Sequence, residues 1–414
     1  VVVVGDSFPG LVPNEVVATM TESSSSARIP KVIAFHLPQF HCIPENDQWW
    51  GEGFTEWTNV VKASPRYPGH LQPAAPLDKH YYNLLDPEVR EWQAQLARRY
   101  GVEGFCYYHY WFKGKLLLEQ PCEAILSSGH PDLPFCFSWA NETWTRSWDG
   151  SKRSVLIKQD YGTESDWRDH FYYLLPFFKD QRYIRHENKP IFLIYRPGDF
   201  ANVDQMMMLW DRLSREAGLP GMYFVKTLTC FDHRPPRPPY SAGVSFEPWL
   251  SERHYSSFFG RLAKLARRGV YRAAQWLGLD WTFVFSYDVI WRDILRRRYG
   301  RNDFPGAFVG WDNTPRMGSR SRIVAGSTPE KFGAYMRRLL MIASQDGAPF
   351  VFVNAWNEWA EGAYLEPDER HGYAYLQELS GAINHCKAIH SMNDPKDLLS
   401  SHEKRSNRHS AWSD

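Results

Sequence analysis

The strongest constraint on this chain is an alternation, kept up along most of its length, between short, almost wholly apolar runs and longer amphipathic stretches. A strand with one wet face alternates apolar and polar residues. A strand covered on both faces reads as a continuous apolar run, the pattern of parallel sheets packed between helices. The runs are Lys31–Leu37, Gly104–Tyr110, Pro134–Ala140, Pro190–Arg196, Gly221–Thr227, Gly243–Trp249, Ala307–Asp312 and Pro349–Trp356. Helical periodicity fills most of the intervals, at Asp86–Tyr100, Ser165–Asp180, Val203–Ala217, Pro329–Ser344 and Gly372–His385. Pro87 and Pro329 stand where a first helical turn tolerates proline, and Gly101 and Gly218 stand where helices stop. Strands alternating with helices in this number predict an α/β fold, a (β/α)8 TIM barrel rather than an open sheet. The barrel is expected over residues 30–390, with a basic, helical insertion at about 251–303 between the sixth and seventh strands. Residues 1–29, ending in the Ser23–Ser26 tract, read as a flexible segment, and residues 391–414 as a polar tail.

Charge and composition remove several function classes. The chain has 48 Lys+Arg against 47 Asp+Glu, a net charge of +1, without the basic surplus of a nucleic-acid binder. No apolar run approaches the roughly 20 residues of a membrane span, so integral membrane association is not expected. The 6 cysteines form no CxxC pair. Cys106 and Cys136 lie in apolar runs as expected of buried thiols, and a reducing, cytoplasmic compartment fits this usage. Val1–Val4 is too short for a signal-peptide core, and a first residue other than Met is expected of a piece of a longer chain. Gly5–Phe8, GDSF, resembles a hydrolase nucleophile motif but lacks a matching acid and histidine. The 18 Trp, 22 Tyr and 25 Phe suit both a large core and the stacking faces of a sugar site.

Barrel active sites sit at the C-terminal ends of the strands. Standing there are His36, Gln39 and His41; Tyr108, His109 and Tyr110; Asn141 and Glu142; Tyr195 and Arg196; Glu247; Trp311 and Asp312; and Asn357 and Glu358. The sharpest cluster is Asn354–Tyr364, NAWNEWAEGAY, after the last strand. There Glu358 and Glu361 are framed by Trp356, Trp359 and Tyr364. If the segment turns helically, two acids three apart share one face, and Gly362 permits the bend. Such a pair suits a glycosidic centre, one acid protonating the leaving oxygen while the other stabilises or attacks. Ser138–Trp144, SWANETW, offers a competing acid in Glu142, with Trp144 beside it. Glu247 is a third strand-end acid, although Pro248 fits a rigid turn equally well. The loop His36–Asn59 is rich in Trp and acids, so Trp49, Trp50 and Trp57 are candidates to stack on sugars. Glu52, Glu56 and Asn59 are candidates to bind hydroxyls. His36, His41, Glu45 and Asp47 lack a recognised ligand spacing, and no metal or other cofactor is expected.

The motifs LPQFHCIPEND and WWGEGFTEWTN, GFCYYHYWFKGK, CFSWANETWTRSWDG, IFLIYRP, VGWDNTPR and VNAWNEWAEGAYLEPDE together resemble the WbsX-type family over roughly residues 30–385. That family carries a glycosyltransferase label and is related to glycoside hydrolase family 99, the endo-α-mannosidases. The resemblance implies a metal-independent barrel acting on α-linked, mannose-like oligosaccharides or polysaccharides. The paired glutamates of an Asn-Glu-Trp-x-Glu-Gly segment fall on Glu358 and Glu361. It further implies retention of configuration through the sugar's own 2-hydroxyl, with Glu358 as the base that activates it and Glu361 as general acid, then base. Ala360 stands where the mannosidases carry His, so substrate identity does not carry over. Three functions follow: a retaining glycosidase or transglycosylase, a glycosyltransferase of surface-polysaccharide assembly, and a glycan-binding barrel without catalysis. The transferase would use the basic insertion around Arg261, Lys264, Arg267 and Arg268. The intact acid pair argues against the third, and the lack of a Gly-rich phosphate loop or a DxD site favours the first over the second.

Overall fold

The structure, a computed structural model, describes residues 28–146, 154–254 and 282–392. The Ser23–Ser26 tract, the Gly5–Phe8 motif, the insertion's Arg261, Lys264, Arg267 and Arg268, and the tail after 392 lie outside the described residues.

Seven barrel strands are continuous: β1 Lys31–His36, β2 Gly104–Phe112, β3 Phe135–Trp139, β4 Lys189–Ile194, β5 Tyr223–Leu228, β6 Ala242–Ser245 and β8 Phe350–Asn354. The seventh, β7, comes in two pieces, Asp303–Phe304 and Gly306–Phe308, divided by Pro305. Each strand pairs in parallel with the next, and β8 returns to β1. The first piece of β7 pairs with β6 and the second with β8, which closes the barrel. Pro305 supplies no N–H, but its carbonyl still accepts from Phe352 N at 2.9 Å. A Cβ at Gly306 would fall on the Ser245 carbonyl, so only glycine brings the two strands together at the seam. The fold is thus the (β/α)8 barrel that the apolar runs predict.

The helices follow the local chemistry. Pro87–Tyr100 (α1) starts on Asp86, whose side chain accepts from Glu88 N, and stops at Gly101, which has φ +85°. Gln120–Ser128 (α2), Glu164–Lys179 (α3), Val203–Glu216 (α4), Tyr287–Arg296 (α5), Pro329–Gln345 (α6) and Ala374–Met392 (α7) complete the longer helices among the described residues. None of them is long and apolar enough to cross a membrane. The connection from β5 to β6 contains no helix. Two expectations need correction. The run Ala307–Asp312 is not one strand: the chain leaves the barrel after Phe308. Trp311–Asp312 instead pairs with Arg322–Ala325, in a small outer sheet that also takes in Phe283–Ser286. The described part of the insertion therefore contributes a strand as well as helices.

Strand parity decides which side chains reach the barrel interior. Phe35 stacks on Tyr108 at 5.8 Å and meets Phe246 at 5.2 Å and Phe352 at 5.6 Å, an aromatic floor below the C-terminal mouth. Residues one step along each strand face the helices instead.

Candidate functional site

The last strand ends at Asn354, and the chain then makes a small antiparallel hairpin between Asn357–Glu358 and Ala363–Tyr364. Its tip is a single 3-10 turn, Trp359–Glu361, closed by Gly362 at φ +61°. Glu358 caps the start of this turn and Glu361 ends it, and both side chains reach one guanidinium, so they lie on one side of the hairpin. A Cβ on Gly362 would lie 2.9 Å from Asp312 N, so this glycine also lets the turn press against the segment after β7. That segment carries the short helix Thr314–Met317, and with it Arg316.

Arg316 organises the acids. It donates from Nη1 to Glu361 Oε1 at 2.6 Å, from Nη2 to Glu358 Oε2 at 3.1 Å and from Nε to Glu56 Oε1 at 2.8 Å. Glu56, from the first loop, is buried behind the pair; Glu358 is nearly so, and Glu361 is partly open to the cavity. Burial raises both carboxyls of the pair above the usual range, Arg316 opposes this, and neighbouring carboxylates add to it. Burial thus favours the neutral form of each carboxyl.

Both acids line a cavity of about 410 Å³ at the mouth of the barrel. The sequence candidates Gln39, Tyr108, Tyr110, Glu142, Trp144, Tyr195 and Trp311 line it too. Glu142 lies on the far side, after β3; burial raises its carboxyl, with Arg196 lowering and Asp199 adding to the shift. The arrangement offers two carboxyls held by one guanidinium, both raised by burial, with tyrosines and tryptophans around them and room for sugar rings.

The other candidates stand elsewhere. His36 faces outward, its Nε2 3.2 Å from Gln93 Oε1, and burial depresses it to about 3. His41 turns its Nδ1 to Pro38 O at 2.9 Å, and burial lowers it to about 4. Asp47 accepts from Gly53 N and Glu45 pairs with Lys115, so these four side chains do not converge. His109, between the inward Tyr108 and Tyr110, points out to His170, with Nε2 atoms 2.8 Å apart; burial depresses it to about 3. Glu247 faces outward, accepting from Arg297 Nη1 and from Ser251 N. Trp50 stacks on Phe54 with ring centroids 5.7 Å apart. Trp57 is buried and donates to Tyr82 O at 2.9 Å.

Asn141 and Asn357 act as backbone clamps. Asn141 accepts from Arg196 N at 2.7 Å and donates to Arg196 O at 3.0 Å. Asn357 does the same to Leu37, at 2.7 and 3.0 Å. Trp359 is buried under the turn, stacked on Tyr364 at 3.8 Å and donating to Glu366 Oε2 at 2.6 Å; Tyr364 donates to Asp368. Among the described residues no group of His, Cys, Asp and Glu is arranged to hold a metal ion.

Sequence reasoning missed Arg316 and Glu366. Arg316 lies in VGWDNTPR, one of the family-like motifs, but nothing local shows that it reaches three acids from other loops. Glu366 is buried and accepts from Trp359, Gln93 and Tyr82 at 2.6, 2.7 and 2.8 Å; burial raises it to about 7.

Comparison with known proteins agrees with the motifs. The family described as Glycosyltransferase WbsX matches residues 32–379, and the chain belongs to it. The uncharacterized protein WxcX of Xanthomonas campestris pv. campestris is 37% identical over 368 residues, covering 86% of this chain and 50% of that protein. The chain thus spans about half the length of this relative. Two solved structures share the fold at low identity. One is the GH99 endo-α-mannosidase of Bacteroides thetaiotaomicron in complex with bis-tris-propane, 12% identical with TM-score 0.51, covering 88% of this chain and 99% of that one. The other is a glycoside hydrolase-like protein, 11% identical with TM-score 0.53, covering 89% and 97%.

Proposed function

We propose that this member of the WbsX family is a carbohydrate-active enzyme that cleaves or transfers α-linked, mannose-like glycans with retention, using Glu358 and Glu361. The observation that carries the proposal is the acid pair on one 3-10 turn, held by Arg316 and opening into the barrel-mouth cavity. In the first step Glu358 takes the proton of the sugar's 2-hydroxyl, whose oxygen attacks the anomeric carbon. The bond to the leaving oxygen breaks as Glu361 gives that oxygen its proton. In the second, Glu361 removes a proton from water, which opens the strained ring at the anomeric carbon, and Glu358 returns its proton to the 2-oxygen. Two inversions give net retention, and each carboxyl ends as it began. Burial raises Glu361 and so favours the protonated form that the first step uses, while Arg316 favours the ionised form of Glu358. Glu142 and the aromatic residues of the cavity hold the rings.

The family's description favours transfer as the second outcome. In that version an acceptor hydroxyl takes the place of water, and the roles of the two acids are unchanged. The test is Glu361→Gln, assayed on α-linked substrates with poor and with activated aryl leaving groups. Turnover should fall by several orders of magnitude on the former and be partly rescued on the latter. Equal loss on both would remove Glu361 as the acid. Product analysis with added oligosaccharide acceptors separates transfer from hydrolysis.

A further inference from the structure

The cavity continues outward from the acid pair along a wall built by the segment after β7. Arg316, Arg320 and Arg322 lie within this one stretch, and all three line the cavity. Arg316 is held by the carboxylates at the inner end. Arg320, one turn further on, has no ion-pair or hydrogen-bond partner among the described residues. Arg322 lies over the Trp249 ring, 5.0 Å from its centroid, and Trp249 meets Trp311 edge-on at 4.7 Å. Arg320, Arg322, Trp249 and Trp311 thus line the same cavity as the acid pair, with Arg322 set over an indole. A neutral glycan would offer these guanidiniums only hydroxyls. Their planar forks match a carboxylate or a phosphate, and charge-assisted bonds of that kind are about twice as strong as neutral ones.

We propose that the ring occupying this outer part of the cavity carries a negative charge, a carboxylate or a phosphate, bound by Arg320 and Arg322 while Trp249 and Trp311 cover its apolar face. The proposal rests on the glycan function above and adds the charge class of the substrate. The acids at the inner end oppose an anion less than their number implies. Arg316 offsets them by bonding to all three, and burial favours the neutral forms of Glu358 and Glu361.

The test is binding of the full chain to acidic and neutral oligosaccharides of equal length, oligouronates against manno-oligosaccharides, by calorimetry at low salt. The same measurements are made on the double variant Arg320→Ala, Arg322→Ala, with its melting temperature as a folding control. Acidic ligands should bind about tenfold more tightly than neutral ones, and the double variant should lose that ratio. Added salt should weaken the preference. Inorganic pyrophosphate and a sugar diphosphate are the second arm. If they displace the acidic oligosaccharide, the charge recognised includes the phosphates of an activated donor; if only uronates compete, it is the glycan's own carboxylate. Equal binding of acidic and neutral ligands, or a preference that survives in the folded double variant, overturns the proposal and leaves the glycan function standing. No binding of either class overturns both.

Discussion

Replacing Arg316 with Met tests the centre of the site without any substrate. Met keeps most of the stem's bulk and removes the guanidinium. Three carboxylates then lose the cation that binds each of them, at 2.6, 3.1 and 2.8 Å. Removing one partner of a buried ion cluster costs about 3–5 kcal/mol, because uncompensated charge remains behind. In a chain of this size that corresponds to roughly 3–6 °C in melting temperature. The sign of the pH dependence follows from Glu358 and Glu361, which burial already raises in the folded protein and which lose the lowering effect of Arg316 in the variant. A carboxyl raised by folding binds more protons folded than unfolded. Its stabilising contribution is fully present below the unfolded value, 4.5, and is lost as pH rises through the folded value. The deficit should therefore be largest at pH 8 and shrink by about half or more at pH 5, where the variant's carboxyls can protonate. Thermal unfolding of parent and variant at both pH values is the assay. A deficit equal at pH 5 and pH 8 would mean that Arg316 acts by packing. No deficit at pH 8 would mean that the cluster is solvated, and the electrostatic account of the site would fail.

Glu366→Gln should flatten the decline in stability between about pH 4.5 and 7, because burial raises this carboxyl to about 7 and its contribution is lost over that interval; melting curves across the range check this. Gly362→Ala should cost about 1–3 kcal/mol and most of the activity, since φ is +61° and the new methyl would meet Asp312 N; an unchanged melting temperature would contradict the close packing of the two segments. Glu142→Gln should raise KM with little change in kcat if this carboxyl only holds substrate, whereas a collapse in kcat on poor leaving groups would make it the acid in place of Glu361.

Much of the barrel was legible because its strands are covered on both faces, which leaves few polar residues to blur the runs. Where the chain breaks that regime, the runs mislead. Ala307–Asp312 is continuous in character, yet the barrel strand ends at Phe308 and Trp311 belongs to another sheet. Apolar character records burial and says nothing about which sheet buries a residue. Parity could have sorted the strand-end candidates more finely. Tyr108 and Tyr110 face the cavity, so His109 between them must face the helices, and His36 follows the inward Phe35 in the same way. Arg316 is a different matter. Its three partners lie 260, 42 and 45 residues away, and no local pattern encodes a meeting of three loops.

The two Asn-Glu dipeptides carry this point to the candidate acids themselves. Asn141-Glu142 and Asn357-Glu358 read alike, each at a strand end and each followed closely by Trp. Both asparagines serve as the same kind of clamp, gripping both backbone groups of one residue beyond a neighbouring strand, Arg196 or Leu37. Each clamp orients the following glutamate toward the cavity, and there the likeness ends. Glu358 enters a turn that brings Glu361 alongside and meets a guanidinium shared among three acids. Glu142 faces the cavity with Arg196 and Asp199 as its charged neighbours and no second acid on its own turn. Identical dipeptides thus acquire different electrostatics from the loops that surround them. Two carboxyls that share one guanidinium on one hairpin can act as a pair, and Glu142 has no second acid on its own turn to act with. These surroundings support the proposal that the chemistry lies with the last strand and the grip on substrate with the third.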